Sequence, residues 1–518
     1  MPQRLIILVT SALLIGGLFV GAPVRVQAVT DTVYVADVLD DEYDGGSCDS
    51  PDFTTNLTVD VATIQEAINA VVEIPSWTTV FLCPGTYTIN ASLVASGDII
   101  LEGASAGSTI LDGGATWDDE GYDTGGVQIL DAADDVTIRN LTFRHGFATS
   151  GGAINADTVT LTSSIFTNNR ATYGGAIYAD DNVTATNSTF TGNISDDYGG
   201  AIYADDNATV TRSTFTGNIS IDDYGGAVYA SSTLTATSST FTGNSADYGG
   251  AIAASTATAT SSTFTGNSGD EGGAIYAYGI TVTSSTFTNN SADSDGGALY
   301  SYGGGTTVTS STFTNNSADS DGGAINNLIG NATVTSSTFT NNSADSDGGD
   351  GGAINALTVI ATSSTFTGNS ADYGGAISGY DTATVTNSTF TNNSAESSGG
   401  AVITYNGIIA RSRFTRNTAG EHGGAVALWD QNSDDLQQVR GNTFSRNTAS
   451  AGGAITLRSC EPTYTRSQVR RVERVNRFSG NRATQQRRTN NIELWVEPQM
   501  LPNALGFLQT PASDIRRR

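Results

Sequence analysis

The stretch GGAIYADDNATVTRSTFTGN, Gly199 to Asn218, recurs with small changes along most of the 518-residue chain and decides how the rest is read. Two markers alternate. Gly-Gly-Ala followed by Ile, Val or Leu starts at thirteen positions from Gly151 to Gly452, and Phe-x-x-Asn starts at thirteen positions from Phe166 to Phe478. Between Phe166 and Phe414 successive phenylalanines stand 23 to 27 residues apart, a solenoid period and shorter than a propeller blade.

Inside each period Thr, Val, Ile, Tyr and Phe form short alternating runs, as in ATVTSSTFTNN from Ala332 to Asn342, with Gly, Asn, Ser and Asp between them. These are strands and turns. Two or three such strands per repeat predict one coil of a parallel β-helix, each strand pairing with its counterpart one coil away at about 4.8 Å. Identical residues then stack. Phe190, Phe215 and Phe241 become an inner aromatic column, each ring contributing about 1.5–3 kcal/mol by burial. Asn193, Asn218 and Asn244 fall at the following bend, where amides can bond from coil to coil. The glycine pair supplies a tight turn.

Ahead of the array, TIQEAINAVV from Thr63 to Val72 places Ile64, Ala67, Ile68 and Val71 on one helical face, with Thr63 and Glu66 spaced as a capping box. An amphipathic helix here covers the open core of the first coil. Cys48 and Cys83 flank this segment, and export permits them to pair as a disulfide; Cys460 is left over as a buried thiol. The first residues read as a secretory signal peptide, with Arg4 before an apolar run from Leu5 to Val20 and small residues ending at Ala28. No later stretch is apolar enough to span a bilayer, so no transmembrane segment is expected after signal removal.

The formal charge is −29, with no lysine, and no Arg or His lies between Arg212 and Arg411. That argues against a nucleic-acid partner. Seventeen of the 23 arginines lie from Arg411 onward, so the C-terminal end is a separate electrostatic region. The expected organisation is a signal peptide over 1–28, an N-terminal cap over 29–90, a β-helix over 91–485 and an Arg-rich tail over 486–518.

TIQEAINA followed by CPGTYTI resembles the opening of pectin-lyase-like right-handed β-helices, and GGAI alternating with FTNN or FTGN resembles the repeats of polymorphic outer membrane proteins. The resemblance implies an all-β, single-stranded right-handed parallel β-helix with an N-terminal capping helix. It further implies a secreted or cell-surface protein, in the family associated with the outer membrane, that acts in adhesion. Forty residues follow Phe478, too few for an autotransporter barrel in this chain, so release or attachment through a partner is expected.

Relatives of the fold include polysaccharide lyases and glycoside hydrolases, and one stretch suits such chemistry. DAADDVTIRNLTFRHG gathers Asp134, Asp135, Arg139, Arg144 and His145, with Arg170 one coil on. Polar residues on an early coil are equally a solvated face, and no catalytic residue is assigned. NSADSDGG, repeated at Asn290, Asn316 and Asn342, stacks Asp293, Asp319 and Asp345 beside Asp295, Asp321 and Asp347, a candidate calcium ladder. The nonapeptide of calcium-binding β-rolls is absent, and the ladder can stand without metal; no other cofactor is expected. Paired threonines such as Thr281 and Thr283 precede each Phe and form outward columns like those of ice-binding β-helices, interrupted at Val359, Ile360 and Ala361. The reading that joins these features is an adhesin-like rod for a glycan or cell-surface receptor, with a polysaccharide-active enzyme, a surface spacer and an ice-binding protein as alternatives. Oligomeric state stays open.

Overall fold

The structure, a computed structural model, describes residues 32–37, 53–55, 61–73, 79–116, 126–345, 348–429, 438–459, 466–484 and 491–496. The expected signal peptide, Cys48, Asp347 and Cys460 lie outside them.

One coil shows how the repeat folds. Ile275–Thr283, Thr286–Thr288 and Ser291–Asp295 are three strands, each paired in parallel with its equivalent in the next coil: Ile275 with Leu299, Phe287 with Phe313, Ala292 with Ala318. Alternation decides the faces. Ile275, Ala277, Ile280, Val282, Phe287 and Ala292 are buried, while Thr281 points outward. Repeated along the chain, this makes a parallel β-helix with a long 24-stranded sheet, a middle sheet of 16 strands and a third side split into sheets of four and nine strands. At about 4.8 Å per coil, sixteen coils give a rod of about 75 Å.

Three bends close each coil, and each has its own chemistry. Before the middle strand, a residue in the left-handed region (Ser284, φ 51°) precedes a buried serine, Ser285. Those serines form a ladder that the sequence analysis did not single out. From Ser164 to Ser388, each backbone N–H donates to the serine hydroxyl of the next coil at 3.0–3.3 Å, and the Ser412 N–H donates to Asn442 Oδ1 at 2.8 Å. After the middle strand, the position two beyond Phe is again left-handed, which explains why it is filled by Gly (Gly266, φ 61°) or Asn (Asn289, φ 54°) in all but three of the repeats from Phe143 to Phe478. The next residue is the ladder asparagine. Asn267 donates from Nδ2 to Asn290 Oδ1 at 2.9 Å and to the Phe241 carbonyl at 3.1 Å, while its own Oδ1 accepts the N–H and the Nδ2 of Asn244. At the third bend the glycine pair is obligatory for two reasons. Gly199 has φ 64°, and a Cβ on Gly200 would lie 2.0 Å from the Gly226 carbonyl oxygen of the next coil.

Inside, fourteen phenylalanines from Phe143 to Phe478 stack face to face with centroids 4.6–5.1 Å apart. The helix α1 (Val61–Glu73) buries Ile64, Ala67, Ile68 and Val71, as its periodicity predicts. It begins two residues before Thr63, so the Thr63/Glu66 pair is not the cap at its start. Parallel pairing also passes both expected limits of the β-helix: Thr79–Leu82 pairs with Ile99–Gly103, and Ile455–Ser459 pairs with Ile492–Val496. A second helix, α2 (Arg466–Val475), seats Val472 on the core near the last coils. Among the described residues no helix is long and apolar enough to cross a membrane.

Two substitutions separate core from ladder. Phe264→Ala should cost about 3–5 kcal/mol. Asn267→Ala, which leaves the Asn244 N–H without an acceptor and its Nδ2 with the Phe215 carbonyl alone, should cost about 1–3 kcal/mol per group left unpaired. Thr265→Ala on the outer face should change stability by less than about 0.5 kcal/mol. Urea denaturation followed by circular dichroism ranks the three.

Candidate functional site

The residues grouped from DAADDVTIRNLTFRHG do not meet in one place. Arg139 pairs with Glu102 at 3.5 Å on the long sheet, and Arg170 pairs with Asp196 at 2.9 Å on the third side. Arg144 and His145 instead converge on Asp112, a residue the sequence analysis passed over. Strand register sets Arg144 directly beside Asp112. Arg144 Nε then reaches Asp112 Oδ2 at 2.7 Å, and His145 Nδ1 lies 3.1 Å from Asp112 Oδ1. His145 occupies the left-handed bend slot (φ 53°) that later coils fill mainly with Gly or Asn. Burial raises the Asp112 pKa, but the Gly114 amide, Arg144 and His145 outweigh it and hold the carboxyl below its ordinary value. The adjoining cleft is lined by Asp112, Gly114, Ala115, Thr116, His145 and Asn168. It thus presents one carboxylate, kept ionised, where glycoside hydrolysis ordinarily uses two, one of them protonated.

The six aspartates of the candidate calcium ladder also separate. Asp293, Asp319 and Asp345 are exposed on the outer face of the third side, whereas Asp295 and Asp321 are half-buried at the glycine turn. The third coil carries an insertion, so the residue before Gly351 that continues the inner column is Asp350, and Asp347 lies outside the described residues. Glu271, paired with Asp295, extends the column upward. Among the described residues no three His, Cys, Asp or Glu side chains are grouped to hold a metal ion. What the column does hold is backbone: Asp321 N–H donates to Asp295 Oδ1 at 2.9 Å, and Asp350 N–H to Asp321 Oδ1 at 2.8 Å. Burial first, and neighbouring carboxylates second, push Glu271 and Asp350 up to about 7. Asp321 rises to about 6, chiefly by burial, with Asp295 adding to it.

N-terminal to these acids, the same column is tyrosine. Tyr173, Tyr198, Tyr224 and Tyr248 precede successive glycine pairs, and their rings lie 6.1, 5.7 and 4.7 Å apart. A second column, Tyr178, Tyr203 and Tyr229, starts the long sheet on the other side of the turn, with centroids 4.8 and 5.2 Å apart. The two interlock: Tyr198 lies 5.0 Å from Tyr229, and where Ala253 omits a ring Tyr276 lies 5.6 Å from Tyr224. Most of these rings are half-buried, with one edge open to solvent. Burial, with Asp180 beside it, pushes the Tyr178 hydroxyl up to about 12, so the platform stays uncharged at ordinary pH. The signal was present in the sequence, as Tyr before Gly-Gly and Tyr after Gly-Gly-Ala-Ile. Reading them as one face needed the turn that brings both positions to the same edge.

The threonine columns are in register, Thr184 on Thr209 and Thr186 on Thr211. Val359 and Ala361 point inward, so Ile360 alone breaks the outer column in that coil. Cys83 is buried and disulfide-bonded; Cys48, its expected partner, lies outside the described residues.

Comparison with known proteins agrees with this architecture. A family described as the right-handed beta helix region matches residues 125–292. The Chlamydia polymorphic membrane protein repeat matches residues 284–302, 310–328, 336–357, 363–380 and 387–404. The chain folds as a right-handed parallel β-helix, and five of its segments match polymorphic-membrane-protein repeats. No curated protein sequence matches it. Among solved structures it is similar to the catalytic unit of a GH87 α-1,3-glucanase from Streptomyces thermodiastaticus at 12% identity and a TM-score of 0.29. That match covers 74% of this chain and 64% of the glucanase unit, just under two thirds of its length. It is also similar to the Streptococcus pneumoniae surface protein and adhesin PfbA at 11% identity and a TM-score of 0.26, covering 84% of this chain and 94% of that one.

The inner acid column makes stability depend on pH in a definite direction. Unfolded carboxyls titrate near about 4. The folded β-helix protein keeps protons on Glu271 and Asp350 up to about 7, so it binds more protons than the unfolded chain in that interval and loses stability as pH rises through it. The melting temperature should be higher at pH 5 than at pH 8, and the difference should shrink in the Asp321→Asn/Asp350→Asn double variant.

Proposed function

We propose that this β-helix protein is a secreted or cell-surface, adhesin-like rod that binds a linear, uncharged glycan along its tyrosine face, without catalysis. The observation that carries the reading is the pair of interlocked tyrosine columns, repeated coil after coil on one edge of the rod. Sugar rings present C–H faces that stack on aromatic rings, while phenol hydroxyls hydrogen-bond their edges. Each coil offers a weak contact. A ligand that is itself repetitive engages many at once, and effective concentration turns weak contacts into useful affinity. Aspartates beside the platform, including Asp180, Asp205 and Asp223, disfavour anionic glycans such as uronates. The polymorphic-membrane-protein repeats support placement at a surface.

A glycan-array screen of the mature chain tests this. Neutral oligosaccharides should bind, and Tyr203→Ala with Tyr229→Ala should weaken binding at least tenfold while leaving circular dichroism unchanged. Removal of C-terminal coils beyond Tyr302, whose ring stacks on Tyr276 at 5.1 Å and ends the face, should leave affinity intact, whereas removal of coils through the tyrosine face should lower it stepwise. If no glycan or cell surface binds, the spacer reading replaces this one. Release of sugar products from polygalacturonate that is lost in His145→Ala would restore the enzyme reading.

A further inference from the structure

We propose that the protein self-associates, the arginine-bearing C-terminal coils of one copy docking on the carboxylate stripe of another. This is independent of the glycan reading. Fifteen acids and no cation lie between Arg212 and Arg411. The fold gathers most of them on one edge. Strand register aligns Gly269 with Ala292, Ala292 with Ala318 and Ala318 with Ala344, so the residues that follow, Asp270, Asp293, Asp319 and Asp345, form one exposed column. The half-buried column of Glu271, Asp295, Asp321 and Asp350 runs beside it.

The inner column receives N–H groups from Asp321, Asp350 and Asn355 and the Tyr380 hydroxyl, but among the described residues no hydrogen bond reaches the carboxylates of the exposed column, Asp270, Asp293, Asp319 and Asp345. Ionised carboxylates only accept hydrogen bonds. Asn355, fully buried, donates from Nδ2 to Asp321 Oδ2 at 3.1 Å, yet its own Oδ1, next to these acids, has no partner. What would complete such an edge is a row of positively charged N–H donors.

The C-terminal coils carry one. Arg413 and Arg477 stand in register on either side of Thr443 in the middle sheet. Arg416 and Arg446 occupy the same bend position in successive coils, and all four are exposed. None of the ion pairs found among the described residues involves Arg413, Arg416, Arg446 or Arg477. Arg416 and Arg446 have φ of 55° and 59° in the slot other coils give almost always to Gly or Asn. Placing a long side chain there costs backbone energy, and such strain points to a use for the charge.

Both rows share one period, because the same interstrand spacing sets both. Several pairs can therefore form together where one surface pair would count for little. Within one copy Asp293, Asp319 and Asp345 cannot meet these arginines, since they lie three or more coils from Arg416, beyond the reach of an arginine side chain; only the last acids of the column, Asp372 and Glu396, lie nearer. The contact between copies joins different patches, so it propagates as an open chain.

Sedimentation of the full chain tests this. At about 0.1 M salt, where the screening length is about 10 Å, mass should rise with protein concentration; at about 1 M, where it is about 3 Å, the protein should be monomeric. One variant carries Arg413→Glu, Arg416→Glu and Arg446→Glu, the other Asp293→Asn, Asp319→Asn and Asp345→Asn, all exposed positions. Each alone should stay monomeric at the lower salt, and the two mixed should form a complex that stops at two copies, since each supplies the patch the other lacks. Glycan binding at Tyr203 and Tyr229, read in the same samples, should be unchanged. A wild-type monomer at the lower salt, association that survives in either variant, or a mixture that stays monomeric would overturn the proposal.

Discussion

Each strand of a coil pairs in parallel with its equivalent one coil away, so any residue repeated in sequence is stacked on itself in space at the strand spacing. The asparagine ladder is the sharpest consequence. Each fully buried amide donates to one neighbour and accepts from another, leaving neither its Oδ1 nor its Nδ2 without a partner. A buried amide unpaired would cost about 1–3 kcal/mol, so the ladder is either continuous or a liability. It therefore locks the register, since a slip of one residue would bring Ser, Ile, Thr or Arg into the slot in one direction and mostly Gly or Asn in the other, and would turn the phenylalanine column outward.

The same constraint builds the outer faces. A tyrosine retained before Gly-Gly in four successive coils becomes a platform, and acids retained at that place in the next coils become a stripe. Like charges at the strand spacing repel, and the protein answers partly by burial that keeps protons on the inner acids and partly by backbone N–H groups donated to their carboxylates. Self-stacking thus turns modest differences between repeats into zones along the rod: a mixed-charge cleft at Asp112, then aromatic, then acidic, then basic. Function in such a molecule is written as the position of a zone.

The cleft at Asp112 shows how scaffold and site compete for the same slot. His145 falls where the bend demands a left-handed residue, and Gly146 falls where later coils place the ladder asparagine. Gly146 N–H still donates to Asn169 Oδ1 at 2.9 Å, so the ladder starts one coil later without loss of pairing. The polar side chains of Arg144 and His145 are then free to turn onto the neighbouring strand, which an inward-facing residue could not do.

Much of this was legible before folding. The alternation of Gly-Gly-Ala-Ile with Phe-x-x-Asn determined the parallel β-helix, its period, the phenylalanine column and the asparagine ladder, because in a solenoid equal sequence spacing becomes contact. The buried serines were equally repetitive, but serine before Thr-Phe reads as an ordinary turn until its hydroxyl is seen accepting an N–H from the neighbouring coil. What the tertiary structure alone decided lies wherever coils are irregular or where distant positions share an edge. An insertion before Gly351 put Asp350 in the column expected for Asp347. Asp112, 33 residues from His145, became its partner because the coil between them is longer than the repeats from Phe166 to Phe414. The two tyrosine positions became one face because the glycine turn folds them together. Sequence spacing measures distance along a strand and between equal coils; it carries no information about the angle of a bend or the length of an unequal coil, and those are set only when the chain closes.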